Sequence, residues 1–195
     1  MNILVACERS GVTREMFRLA GHNAYSCDLE ESEIKSSYHL QGDVLDYIEQ
    51  YQNHYDLAFK MLIAYPPCTN LCVSGARWFK DKKAQQEKDI KFIKDLMNVP
   101  IPKICLENPV GIISTRIRKP DQIIQPYQFG HGETKKTCLW LKNLPPLSPT
   151  WNIKYPANRV FKMPPGKERA FERSRTYIGI AFAMASQWGN GKVWN

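Results

Sequence analysis

The sequence predicts a doubly wound α/β fold, a mostly parallel sheet with helices on both faces. Short apolar runs alternate with amphipathic helical stretches as far as Gly111. Four of those runs end in ERSG, CDLEE, PPCT and ENP, so four polar clusters fall at the strand ends where such sheets bind ligands. No apolar run approaches the ~18 residues of a membrane span.

NILVAC is a buried strand and ERSG its turn. VTREMFRLAG reads as a helix, with Val12, Met16 and Leu19 on one face and Gly21 closing it. HNAYSCDLEE is a second strand ending in acids, and IKSSYHLQGDV is a connection into the helix DVLDYIEQYQ. DLAFKMLIA is a third strand, with PPCTNLCVSG as the loop at its end. FKDKKAQQEKDIKFIKDLMNV is the clearest helix, with Ile90, Ile93 and Met97 on one face and charge on the other. KICLENPVG is a fourth strand. Beyond Gly111 the pattern loosens into a strand TCLWL, a proline-rich exit, a long loop with a Pro-Pro-Gly turn, and an apolar terminal helix, TYIGIAFAMASQWG. No repeat or low-complexity linker divides residues 1–195, which are expected to form one domain.

A hydrophobic content of 43% and a charged content of 24% suit a soluble globular chain. MNILVACERSG lacks the basic and apolar regions of a signal peptide, so a cytoplasmic location is expected, and with it free thiols at the six cysteines. The net charge of +8 is concentrated in ISTRIRK and between Lys162 and Arg175, which points to a polyanionic partner, nucleic acid or a phosphorylated nucleotide.

The strand ends carry the candidate chemistry. Gly11 lets backbone amides approach a ligand at a helix start. Asp28 and Asp43 are acceptors at the same edge, of the kind that bind ribose hydroxyls. Cys68 follows two prolines that stiffen its turn; it could be a nucleophile, a ligand or a packing residue. Cys72 lacks a second ligand pair at zinc spacing, so no metal is expected. Glu107 ends a buried strand and can exchange a proton with a base ring.

Pro67-Cys68 after one strand and Glu107-Asn108 after the next resemble the hallmark pairs of the cytosine-5 DNA methyltransferases. PPCTNLCVSGARW, ENPVGIISTRIRKPDQIIQPYQFG, KKTCLWLKNLPPL and SRTYIGIAFAMASQW resemble small phage-encoded members of that family. The resemblance implies a Rossmann-like class I methyltransferase fold that binds S-adenosylmethionine. It implies that Cys68 attacks carbon 6 of cytosine as thiolate while Glu107, beside Asn108, hydrogen-bonds ring nitrogen 3 and the exocyclic amine. Carbon 5 then takes the methyl group, and loss of its proton with elimination of Cys68 ends the turnover. The base must be flipped out or already single-stranded. Ser10 and Gly11 match the end of the family's glycine-rich loop, Asp28 the acid at the ribose, Asp43 the acid near the adenine amine; Pro66 and Pro67 border the methyl donor. Ser74, Arg116, Arg118, Lys135, Lys136, Arg173 and Arg175 are the expected contacts to phosphate or base.

Three departures stand out. Glu8 and Ser10 replace glycines in the cofactor loop, and Glu8 would either bind the cofactor's amino group or block it. ENP replaces Glu-Asn-Val. The family's separate target-recognition domain has no room between TCLWL and the terminal helix, so a targeting partner, a second copy or a smaller substrate is expected. The second reading keeps the fold and loses methylation: a diverged protein that binds nucleic acid or nucleotides, in phage counter-defence or base hypermodification.

Overall fold

The predicted alternation is present. β1 (Asn2–Ala6), α1 (Val12–Leu19), β2 (Asn23–Asp28), β3 (His39–Gln41) and α2 (Val44–Gln52) build the first half. β4 (Met61–Ala64), α3 (Lys83–Asn98), β5 (Lys103–Pro109), α4 (Ile113–Arg116), β6 (Gln122–Ile124), β7 (Thr137–Lys142), α5 (Arg159–Lys162) and α6 (Ile178–Trp188) follow. This computed structural model describes residues 1–195 except 55, 57, 74–81, 165, 167–174 and 190–195. One seven-stranded sheet runs in the order β3-β2-β1-β4-β5-β7-β6. The first five of these are mutually parallel, and β7 is antiparallel to both β5 and β6.

Period-two burial explains the layers. Leu4 and Ala6 of β1 and Leu62 and Ala64 of β4 face a core completed by Ile48 of α2 and Ile90, Ile93 and Leu96 of α3. Ile3, Val5, Met61 and Ile63 face the opposite core, with Phe17 of α1 and Ala183, Met184 and Trp188 of α6. β1 and β4 are buried on both faces, which is why they read as continuous apolar runs.

Two strands escape the sequence reading. β3 lies inside the stretch expected as a connection, so DLAFKMLIA holds the fourth strand rather than the third. β6 lies in the loosely patterned region. Each has three residues, too few for a period of two to show. In α1 the buried face is also displaced. Thr13, Arg14 and Phe17 point inward, whereas Leu19 is 63% exposed. The polar pair turns inward because both have partners there: the Arg14 guanidinium donates to Ser26 Oγ at 2.6 Å and the Ile34 carbonyl at 3.1 Å, and Thr13 Oγ1 meets Tyr65 Oη at 2.8 Å.

The strand order reverses between β1 and β4, opening a crevice at their carboxyl ends. The loops after β4 and β5 are joined beside it. Val73 N donates to the Val110 carbonyl at 3.1 Å, and Ile112 N donates to the Leu71 carbonyl at 2.9 Å. Gly111 lies against Leu71, with no space for a side chain between the loops. Gly111→Ala drives a methyl into the Leu71 carbonyl, and we expect it to cost about 1–3 kcal/mol in urea unfolding. Gly132→Ala, whose methyl meets nothing, should leave the midpoint unchanged or slightly raised.

Candidate active site

A cleft of about 360 Å³ opens at the carboxyl edge where the sheet reverses. The end of β1 contributes Cys7, Glu8, Arg9 and Ser10, and the end of β2 contributes Asp28. Pro66, Pro67 and Cys68 follow β4, and Glu107 and Asn108 close β5. Lys135 and Thr137 enter from the start of β7. Because β7 is antiparallel, its beginning lies at the edge where β5 ends: Thr137 pairs with Pro109 and Cys138 with Asn108.

Cys68 and Glu107 share one half of this cleft. The carbonyl of Cys68 accepts from Leu71 N and Cys72 N, both at 3.0 Å, so its loop is a closed turn. α3 grips that turn, with Gln86 Nε2 donating to the Asn70 carbonyl and Asn70 Nδ2 donating to Asp89, each at 2.9 Å. Asn108 is buried, and its Nδ2 donates to the Pro66 carbonyl at 2.8 Å, tying the end of β5 to the end of β4. Asn108 is thereby a positioning residue for the Pro66–Cys68 turn, and its buried Oδ1 has no partner among the described residues.

The electrostatics couple these groups. A hydrogen bond with Cys72 first, then burial and the nearby Glu107, push the Cys68 thiol far up, while the Lys135 ammonium pulls it back. Glu107 keeps some surface toward the cleft, but surrounding protein desolvates its carboxyl and pushes it up. Lys135 and a hydrogen bond with Thr137 oppose that rise. The resting site therefore holds a thiol beside a carboxyl that retains its proton more readily than an exposed one, with a cation acting on both.

The other half is acidic. Glu8 is only 2% exposed, and its carboxylate accepts from Thr13 N at 2.6 Å and Arg14 N at 3.2 Å. It fills the start of α1 with the chain's own anion. Burial pushes its carboxyl up, against those hydrogen bonds and the fully buried Arg14. Cys7 makes the turn out of β1 at φ 56°, a left-handed conformation uncommon outside glycine, and burial then Asp28 push its thiol up to about 12. Asp28 accepts from Glu30 N at 3.1 Å and lines the cleft with Glu30 and Glu33. Arg9 spans this rim by pairing with Glu30 at 2.7 Å. The lining thus holds the carboxyl groups of Glu8, Asp28, Glu30, Glu33 and Glu107 together with the cations Arg9, Lys135 and Arg175.

The expected residues separate into those that line this cleft and those that lie elsewhere. Glu8, Ser10, Asp28, Pro66, Pro67, Cys68, Glu107, Asn108, Lys135 and Arg175 all line it. Gly11, at φ 71°, is the N-cap of α1. Asp43 caps α2 through Leu45 N at 2.8 Å; it lies near enough to Cys7 to oppose its ionisation. Arg116 pairs with Glu87 and Arg118 with Asp121, both at 2.8 Å on the outer surface, and Lys136 is exposed. Ser74 and Arg173 lie outside the described residues. Sequence reasoning missed Cys7, Tyr65, Thr137 and Tyr177. Cys7 and Thr137 are terminal residues of predicted strands and Tyr65 directly follows one, which was the available signal.

Among the described residues, no cluster of three or more His, Cys, Asp or Glu is placed to hold a metal ion. None of their helices is long and apolar enough to cross a membrane. No protein-family model and no curated protein sequence matches the chain. Its fold is similar to the crystal structure of an E. coli prophage-encoded protein described as a DNA modification methyltransferase, at TM-score 0.53 and 15% identity. The match covers 85% of this chain and 55% of that protein, so the chain spans about half of its neighbour's length. At this identity the likeness is one of fold.

The burial of Glu8 has a measurable consequence. Its folded pKa is raised, so the stability it contributes is complete below the ordinary carboxylate range and lost as pH rises through the folded value. Glu8→Gln removes that titration. Relative to Glu8→Gln, the wild-type urea midpoint is expected to fall as pH rises above the ordinary carboxylate range.

Proposed function

We propose that the chain is an S-adenosylmethionine-dependent methyltransferase acting on carbon 5 of cytosine through a covalent adduct at Cys68. The observation that carries this reading is the meeting of Cys68, from the loop after β4, and Glu107, from the end of β5, in one cleft that Asp28 also lines. The strand order with an antiparallel β7 supports the Rossmann-like class I methyltransferase arrangement, as does the fold of the prophage protein.

The acidic half fits the cofactor's chemistry. Glu8, Asp28, Glu30 and Glu33 suit a ligand carrying a sulfonium, an ammonium and a ribose diol, and Tyr65 and Pro66 offer it an apolar wall. Asp28 would accept from the ribose hydroxyls. When bound, S-adenosylmethionine supplies an electrophilic methyl group. The chain's own residues prepare the acceptor. Glu107, whose burial favours its protonated form, would donate to cytosine nitrogen 3 and make carbon 6 electrophilic. The Cys68 thiol would give its proton to solvent; sulfur would then bond to carbon 6 as the carbon 5–carbon 6 π bond breaks, placing its electron pair on carbon 5. A neutral Glu107 also removes the anion that opposes the Cys68 thiolate, and Lys135 stabilises that thiolate. Asn108 holds the Pro66 carbonyl, so the turn that aims Cys68 does not drift.

One observation favours a second reading. Glu8 already occupies the first amides of α1, so the acid end of an amino-acid-bearing cofactor finds that helix start filled. A diverged protein that binds nucleotides without methylating them would show this feature too.

Calorimetry separates the readings. Micromolar binding of S-adenosylmethionine and its demethylated product, lost in Asp28→Ala, is expected of the enzyme; no binding at millimolar concentration sinks it. An oligonucleotide carrying 5-fluorocytosine should be trapped covalently by the wild type with cofactor, and not by Cys68→Ser. Lys135 lowers the pKa of both Cys68 and Glu107, so Lys135→Met should move the whole pH–rate profile to higher pH. Activity on the rising limb of the profile would then fall by up to about tenfold for each pKa unit of that movement.

A further inference from the structure

Outside the cleft, one surface has the composition of a binding site. Trp151 is 72% exposed and Tyr155 is 82% exposed, the most open aromatic rings among the described residues. They lie on a segment held in place by backbone pairing. Gly130 N donates to the Trp151 carbonyl, Ile153 N to the Tyr127 carbonyl, and Ala157 N to the Gly132 carbonyl, each at 2.8 Å. Parallel bridges join Phe129 to Trp151 and Glu133 to Ala157. The rings therefore project from an ordered ribbon, and that ribbon's partner strand runs directly into Lys135 of the cleft. Gly130, beside Trp151, is five residues before Lys135, which sets an upper limit of about 18 Å between their backbones.

Charge narrows the occupant. From Thr134 to Gly166 the sequence holds no Asp or Glu, against Lys135, Lys136, Lys142, Lys154, Arg159 and Lys162. Lys154 Nζ lies 5.5 Å from the Tyr155 ring, so a cation and a flat apolar surface are presented together. Rings that accept unpaired bases, interleaved with cations that follow a phosphate chain, are what single-stranded nucleic acid requires. Glu133, just before this stretch, pairs with Arg159, and the other cations would be unneeded by an apolar protein partner.

We propose that the 150–157 ribbon is a stacking platform for single-stranded nucleic acid, with Trp151 and Tyr155 holding bases that flank the one in the cleft and Lys154 on the backbone. This deepens the proposed function, since it makes the substrate a strand rather than a free nucleotide. It rests on that reading for the identity of the base at Cys68.

The test is fluorescence anisotropy with labelled 12-residue single strands of DNA and RNA, their duplexes, and cytidine monophosphate as a competitor. Wild type should bind single strands more tightly than duplexes. Trp151→Ala and Tyr155→Ala should each weaken single-strand binding by about tenfold while leaving cytidine monophosphate competition and thermal stability unchanged. Lys154→Gln should lower the slope of log K against log salt by about 0.7. Preference for one sugar assigns the natural strand. Unchanged single-strand affinity in both aromatic variants overturns the proposal. So does a change of mass in light scattering on Trp151→Ala without a change in nucleic-acid affinity, which would make the ribbon a protein interface. S-adenosylmethionine calorimetry on the same variants separates the two readings: cofactor binding without a platform effect fails only this proposal, and a platform effect without cofactor binding fails only the methyltransferase.

Discussion

Everything at the cleft depends on how the loop after β4 is held against the loop after β5. Asn108 donates to the Pro66 carbonyl, Ile112 to Leu71 and Val73 to Val110, while Gly111 lets the two backbones touch. Two parallel neighbouring strands deliver their ends to the same edge, but sheet pairing stops at Ala64 and Leu106. Beyond that register β5 continues against β7 as far as Pro109, but the loop after β4 has no ladder to align it. The added hydrogen bonds extend the alignment by several residues, far enough to include Cys68 and Glu107. The two prolines then cost little, because Pro66 needs only its carbonyl for the contact and a proline nitrogen has no hydrogen to lose.

A second constraint lies beneath the acidic half. Arg14 is fully buried in a helix next to the buried Glu8. Removing two charges from water is unfavourable unless each is well hydrogen-bonded. Here each is: Glu8 receives two backbone amides, and Arg14 reaches Ser26, the Ile34 carbonyl and Glu15. The network joins α1 to β2 and to the loop that carries Glu30 and Glu33. It gives that loop a fixed place over the cleft, and it spends the helix start on an internal anion. A ligand entering from this side meets carboxylates rather than open amides, so its positive groups decide its affinity.

These two constraints were unequally legible in the sequence. β1 and β4 announce themselves because strands buried on both faces are uniformly apolar, and their polar endings mark the carboxyl edge. Cys68 was found in the proline turn that follows such a strand, and Glu107 at the polar end of the next predicted strand. Asp43 was placed by analogy with a strand end, yet it precedes a helix and caps it. The α1 face was misplaced because apolar spacing cannot reveal an arginine whose partners, Ser26 and Ile34, come from elsewhere in the chain. β3 and β6 are three-residue edge strands whose existence depends on neighbours rather than on their own pattern. The role of Lys135 required the direction of β7, which no local signal encodes.

The direction of β7 also explains why one lysine can act on two acids. An antiparallel strand brings its first residues to the edge where its neighbours finish, so Lys135 and Thr137 arrive beside Glu107 without a long loop. Glu107 then opposes ionisation of Cys68, while the Lys135 ammonium favours ionisation of both. A proton moved from Glu107 to a bound base leaves a carboxylate whose charge opposes the thiolate. Once sulfur has bonded to carbon, that charge no longer has a thiolate to oppose. In the proposed reaction burial would therefore favour the adduct over the separated ions, with Lys135 opposing the rise that burial causes in both groups.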